Sequence, residues 1–259
     1  MVELLAEVID IALEAGRLIL DRQRSGFNVE TKADNSPVTI ADHEAEELIT
    51  QRLSRSFPDD GIIGEEHGAQ QGRSNRVWAI DPIDGTKAFV RGVPLFGTTI
   101  GLLEDGKSIL GVIHLPALNE TIAAFQGHGC LWNGEAARVS SVDRLEDALM
   151  LSCQVRGVFK LGLQKKFEDL LMRLRMFRTW ADCYGYALVA TGRAEICFDT
   201  GAHLWDTAPL AVIVEEAGGH FTSLAGEPTV HGNNCLATNG LLHEQVLNYL
   251  RTDQHTDRE

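Results

Sequence analysis

Apolar positions first fall at helical spacing. Leu4, Leu5, Val8, Ile11, Ala12, Ala15, Leu18 and Ile19 share one face of a 3.6-residue repeat, and Gly26 follows the polar end of the stretch, which predicts an amphipathic helix. A second helix is marked by its start. Thr39 followed three residues later by Asp42 has the form of a capping box, with Asp in place of the usual Glu. Ala41, Ala45, Leu48, Ile49 and Leu53 supply the apolar face behind it. From Ile62 to Val139 the rhythm shortens to apolar runs separated by turn residues, the pattern of a sheet. The expected strands cover residues 62–63, 77–80, 98–103, 108–114 and 121–125, with a further pair flanking Asn133-Gly134. Asp105-Gly106 and Asn133-Gly134 are hairpin dipeptides, because both residue types tolerate the positive φ of a tight turn.

Beyond Ser140 strands and helices alternate. A strand over 148–152, helices over 164–175 and 184–190 and a strand over 194–198 precede a helix from about Asp206 to Ala217, stopped by Gly218-Gly219. Two short strands and a last helix over 241–250 complete the pattern. The chain therefore reads as α/β in two halves, residues 1–140 forming an α+β half and 141–259 an α/β half. No repeat or low-complexity segment interrupts it, and the polar tail after Arg251 is expected to fray.

Composition narrows the function classes. With 44% apolar and 23% charged residues over 259 positions, the chain has the make-up of an ordinary globular protein. A net charge of −14 without basic stripes argues against nucleic acid and anionic membrane surfaces as partners. Glu3, Glu7 and Asp10 break up the apolar start, and no run approaches the length of a membrane span, so neither a secretory signal nor an anchor is expected. Five cysteines, an odd number never spaced two apart, favour reduced and mostly buried thiols in a cytoplasmic compartment over disulfides or zinc.

The chemistry concentrates at Trp78-Ala-Ile-Asp-Pro-Ile-Asp-Gly-Thr86, where an apolar strand ends abruptly in two aspartates. A buried strand can hold Asp81 and Asp84 rigidly at its mouth, while Pro82 and Gly85 bend the backbone so that a carbonyl can join them. Asp-Pro and Asp-Gly are also ordinary turn formers, so this segment alone does not decide the matter. A calcium loop of the EF-hand kind is excluded because Ile83 stands where its second oxygen ligand belongs. Two further acidic clusters, Gly64-Glu65-Glu66 and Trp205-Asp206, lie at other element ends. Carboxylates packed together repel unless divalent cations neutralise them, and oxygen-only ligands select Mg²⁺, with Mn²⁺ possible and zinc disfavoured.

In this order, G-E-E, W-A-I-D-P-I-D-G-T and W-D-T-A resemble the three signatures of the inositol monophosphatase superfamily of lithium-sensitive phosphatases. The segment from Lys32 to Asp42 belongs to the same likeness. The resemblance implies a layered α/β/α/β/α sandwich, usually a homodimer, with two or three Mg²⁺ ions between the halves. It further implies that Glu65, Asp81 and the Ile83 carbonyl hold one metal, and that Asp81, Asp84 and Asp206 hold a second. Glu65 and Thr86 would orient the attacking water, Asp42 would stand just outside the ligands, and Lys32 would sit on a mobile loop. The Gly85 and Thr86 backbone would bind phosphate oxygens. Such equipment suits a phosphomonoester, which repels hydroxide and has a poor leaving group. Cations acidify water on one side and stabilise the departing oxygen on the other. No Cys or His motif points to a covalent phosphoenzyme.

The substrate is the finer question. Arg178-Thr-Trp-Ala-Asp-Cys-Tyr-Gly-Tyr186 resembles the matching stretch of the histidinol-phosphate phosphatase branch, with Ala181 replacing the usual Gly, and so does Pro94-Leu95-Phe96-Gly97. Histidinol phosphate carries an ammonium and an imidazole, which a carboxylate beside the pocket would suit. Asp182 and Asp199 are the candidates, with Asp206 nearby. Asp182 can equally be read as the N-cap of the helix that follows it. His67, His114, His128, His203, His220 and His231 lack metal-ligand spacing and read as surface or packing residues. Trp132, Trp180 and Trp205 read as core anchors. An inositol monophosphatase or a broad-range small-molecule phosphatase remains the alternative, and a catalytically idle metal-binding regulator a third reading.

Overall fold

The computed structural model describes residues 2–32 and 37–251. The tail past Arg251 and residues 33–36, within the segment from Lys32 to Asp42, lie outside the described residues.

Three apolar cores hold five layers together, the central one spanning both faces of the middle helices. Helices Val2–Ser25 and Ile40–Ser56 cover one face of an eight-stranded sheet, with Val8, Ile11, Ile49, Trp78, Ile80 and Phe96 between them. The Thr39–Asp42 capping box is present, with the Thr39 N–H donating to Asp42 Oδ2 at 2.8 Å. The opposite face of that sheet packs on helix Leu204–Glu216, accompanied by helix Asp182–Ala190. Both middle helices also lie against a five-stranded sheet, whose far side is covered by helices Gln164–Leu171 and His243–Leu250. The expected α/β/α/β/α sandwich is this arrangement.

In the larger sheet the order from one edge is 135–137, 130–132, 120–125, 107–115, 97–104, 76–84, 61–64 and 68–70. All neighbours are antiparallel except Gly61–Gly64 beside Arg76–Asp84. That parallel pair sets Gly64 opposite Ile80, and the Glu65 N–H reaches Ile80 O at 3.1 Å, so Glu65 and Asp81 emerge side by side. The strand expected over 77–80 runs on to Asp84 because its ladder slips from Asp81↔Thr99 to Asp84↔Gly97. This bulge falls at Pro82, which has no N–H to contribute to a ladder. Asp105-Gly106 and Asn133-Gly134 form their turns with positive φ at all four residues.

Some boundaries differ from the sequence reading. The helix expected over 164–175 ends at Leu171, because Met176–Arg178 joins a parallel ladder with Leu149–Leu151 and leaves no room for another turn. The hairpin Val29–Thr31/Pro37–Thr39, the strand Gly68–Gln70 and the helices Thr86–Val90 and Val155–Lys160 are too short to leave a periodic signal.

One close approach positions the site. Helix Leu204–Glu216 lies directly on the sheet because Gly101 and Gly111 leave space for Pro209. A Cβ on Gly111 would stand 2.3 Å from Pro209 O. Pro209 cannot donate to Trp205 O one turn earlier, and the Thr99 hydroxyl donates to that carbonyl instead at 3.3 Å. Asp206 is thereby fixed over the strand that carries Asp81. Gly111→Ala is expected to cost about 1–3 kcal/mol through overpacking, read as a Tm lower by several degrees. A melt matching the parent's would overturn this account of the contact.

Candidate active site

Asp81 and Asp84 at the end of strand Arg76–Asp84 and Asp206 at the start of helix Leu204–Glu216 converge, with one oxygen of each lying within 4.8 Å of the others. One backbone amide tethers each carboxylate. Asp81 Oδ1 accepts from Ile83 N at 2.9 Å, Asp84 Oδ2 from Cys183 N at 2.5 Å and Asp206 Oδ2 from His203 N at 2.8 Å. His203 is the N-cap of its helix through that backbone N–H, and its side chain is exposed, in line with the surface reading. Its ring also stacks on Trp205, 4.7 Å between centroids.

Glu65 stands against Asp81, close enough to hydrogen-bond with it. Lys32 Nζ binds Glu65 Oε1 at 2.7 Å and Glu66 Oε1 at 2.6 Å, which brings Lys32 to the acidic turn. Asp42 is buried one layer back, accepting from both the N–H and the hydroxyl of Thr39. Thr86 donates its hydroxyl to Ile83 O at 3.0 Å. Gly85 is left-handed at φ 89° and opens the short helix from Thr86. A Cβ there would meet Leu95 O at 3.0 Å, so only glycine fits.

Asp182 and Asp199 line a cavity of about 110 Å³ together with Asp84, Asp206, Tyr186 and Cys235. The Tyr186 hydroxyl donates to Asp199 Oδ2 at 3.0 Å, and the Cys153 thiol donates to Asp182 Oδ1 at 3.3 Å. Asp182 is not the helix N-cap. Ala181 takes that position, and Asp182 adopts a left-handed φ of 52° as the first helical residue, a conformation Asp tolerates better than most. Trp180 is not a core anchor either, being 41% exposed, whereas Trp132 and Trp205 pack against the central core.

Asp81 is buried, while Asp84 and Asp206 keep some accessible surface. Burial, followed by the charges of Glu65, Asp84 and Asp206, pushes the Asp81 carboxyl far up. Burial, then Asp182, Asp206 and Asp199, does the same to Asp84. Asp206 is raised to about 7 by burial and then by Glu65 and Asp182, against the His203 amide that favours its charge. Burial likewise raises Asp199 and Asp182, the latter opposed in part by Lys87. Burial raises Glu66 to about 7. The burial cost to Lys32 is outweighed by Glu65 and Glu66, which hold its ammonium charged. An oxygen-only cluster whose members resist ionising together is what a hard divalent cation stabilises, so the residues fit a metal site.

Several residues in this neighbourhood were not among the expected site residues. Glu66 shares Lys32, Cys153 and Tyr186 hold the two cavity aspartates, and Glu46 is buried beneath the acidic turn. Glu66 stands in the G-E-E segment and Tyr186 in the Arg178–Tyr186 stretch, each without a role of its own there, whereas Glu46 left only its position one helical turn after Asp42 on a largely apolar face.

Comparison with known proteins agrees with this geometry. The Inositol monophosphatase family matches residues 1–255. A histidinol-phosphatase of Mycobacterium tuberculosis is 41% identical, the match covering 89% of this chain and 92% of the relative. One of Streptomyces coelicolor is 40% identical over 95% of both chains. Among solved structures, the extragenic suppressor protein suhB of Bartonella henselae superposes with a TM-score of 0.90 at 27% identity, over 96% of this chain and 98% of that one. An IMPase of Thermotoga maritima gives 0.87 at 34% identity, over 96% and 97%. With its layered sandwich, its converging carboxylates and a match along almost its whole length, the chain belongs to the inositol monophosphatase family.

Proposed function

We propose that this protein is a magnesium-dependent histidinol-phosphatase, hydrolysing histidinol phosphate with water to histidinol and inorganic phosphate. The observation that carries the substrate is the pair Asp182 and Asp199 on the wall of a cavity that also holds Asp84 and Asp206. The phosphate end would face the metal site while the ammonium and imidazole meet carboxylates. The names of the relatives from Mycobacterium tuberculosis and Streptomyces coelicolor support the same reading.

In this proposal Glu65, Asp81, the Ile83 carbonyl, Asp84 and Asp206 hold two or three Mg²⁺ ions. When bound, these ions supply an acidified water and positive charge for the developing oxyanion. Glu65 and Thr86 orient the attacking water. Thr86 donates its proton to Ile83 O, which leaves its lone pairs to accept. The Gly85 and Thr86 amides, at a helix start where such groups lack helical partners, bind phosphate oxygens. Asp42 stabilises the second helix behind the ligands, and Lys32 moderates the charge of Glu65 and Glu66. The halves 1–140 and 141–259 divide the labour: the first carries most of the ligands, the second Asp206 and the cavity wall. A cytoplasmic homodimer completes the proposal. Among the described residues no helix is long and apolar enough to cross a membrane, and all five thiols are free.

Side-by-side phosphate release from histidinol phosphate, inositol 1-phosphate and a nucleoside bisphosphate, with and without Mg²⁺, tests the assignment. Preference for either of the latter two, or no need for Mg²⁺, would reject it. Asp84→Asn at saturating Mg²⁺ is expected to lower kcat by about 10²–10³, roughly 3–4 kcal/mol of transition-state stabilisation. Asp182→Ala should reduce kcat/KM for histidinol phosphate by roughly tenfold or more while sparing inositol 1-phosphate, the size expected for one hydrogen bond to a charged group. Equal losses on both esters would count against Asp182 as the cation's partner.

The acidity of the cluster makes metal binding depend on pH. A carboxyl whose folded pKa is raised stabilises the metal-free fold below its unfolded value near 4, and that contribution is lost as pH rises through about 7 for Asp206. Cations bind the ionised form, so they restore more stability where protons no longer compete. EDTA should therefore lower Tm more at pH 8 than at pH 6. An equal drop at both would mean that Asp206 is not a ligand.

A further inference from the structure

We propose that Glu46 is a positioning residue for the metal site, acting through the turn that carries Glu65. The inference rests on the metal-site reading above and goes beyond the ligands themselves. Glu46 extends from helix Ile40–Ser56 with its side chain 1% exposed. Its two oxygens divide the turn between them, with Oε2 accepting from Glu66 N and Oε1 from His67 N, both at 2.8 Å. The ring Nδ1 of His67 lies 3.0 Å from Oε1, but that side chain is 42% exposed and adds little. The two amide bonds are therefore the significant contacts.

These bonds fix the residue just before them. The Glu65 N–H is held by Ile80 O in the sheet, and the next two N–H groups are held by Glu46. The Glu65 backbone is thus clamped on both sides, with its side chain lying against Asp81. Gly64 completes the clamp. A Cβ there would stand 2.0 Å from Glu46 Oε1, so the glycine opening the G-E-E motif is required by the Glu46 side chain lying across it. Each amide meets a different oxygen of Glu46, so a glutamine would turn its NH2 donor toward one of the two N–H groups. A buried anion is an expensive way to close a turn in a neighbourhood already crowded with acids. Its placement makes sense where cations offset the charge and where a small shift of Glu65 weakens their binding.

The test uses the full-length protein as wild type, Glu46→Gln and Gly64→Ala. Magnesium half-saturation is read from the Mg²⁺-dependent rise in Tm without substrate, and kcat and KM for histidinol phosphate are measured at saturating Mg²⁺. Each variant is expected to raise the half-saturation concentration about tenfold or more while KM stays within about twofold, the signature of lost support for a ligand. The double variant should be no worse than the more affected single one, since both act through one carboxylate. A wild type indifferent to Mg²⁺ would instead sink the metal reading itself. A responsive wild type matched within about twofold by both variants would overturn the role of Glu46 alone. Should neither variant fold, amide exchange at Glu66 and His67 in the wild type decides. Slowing by about tenfold or more on adding Mg²⁺ supports the clamp, and unchanged exchange refutes it.

Discussion

Like charges held together out of water are the constraint on which this structure turns. Two unit charges 4 Å apart interact by about 4 kcal/mol even at an effective dielectric of 20, and here three carboxylates crowd within 4.8 Å, with Glu65 against one of them. Such a cluster is tolerable only if it holds protons or cations. The protein supplies one fixed amide to each aspartate and one lysine to the glutamate turn, which orients the oxygens without neutralising the group. The remaining charge is the site's capacity to bind metal.

Helix starts deepen that arrangement. Asp206 lies in the first turn of helix Leu204–Glu216, and Asp84 accepts from Cys183 at the first turn of helix Asp182–Ala190. Gly85 opens a third, short helix. The partial positive charge at helix N-termini favours anions there and offsets some of the repulsion. The middle layer of the sandwich therefore does two jobs. Its apolar faces bind the sheets together, and its starts organise the acids. Gly111 and Pro209 link the two, because the helix must lie directly on the sheet for Asp206 to meet Asp81.

What could be read from the sequence follows from the same physics. Long amphipathic helices and alternating strands were legible because burial imposes a period. Asp81, Asp84 and Asp206 were legible because an apolar strand or helix that ends in carboxylates is chemically abrupt. Asp182 was found, but its conformation was not, since a left-handed aspartate leaves no pattern distinct from an N-cap. Glu46 was overlooked because an acid one turn after Asp42 on a mostly apolar face looks like a break in periodicity. Its meaning depends on a turn some twenty residues away. The three-residue strands and the early end of the helix at Leu171 arise from pairing across the chain, which local pattern does not encode.

The charge pattern of the cleft also argues for a particular kind of ester. The carboxylates of the metal-site cluster would be offset by bound cations, whereas Asp182 and Asp199, in the same cavity, have hydroxyl and thiol donors as their direct partners. A polyol phosphate would leave them to be solvated or protonated, as their upward-shifted carboxyls already favour. A substrate with an ammonium or imidazolium would draw them into the ionised form and gain from doing so. In the proposed function the cavity would select one molecule by opposite charges, anion toward the metals and cation toward Asp182 and Asp199. A neutral alcohol moiety would satisfy only the first, so two half-buried aspartates in the cavity wall argue for a dipolar ester.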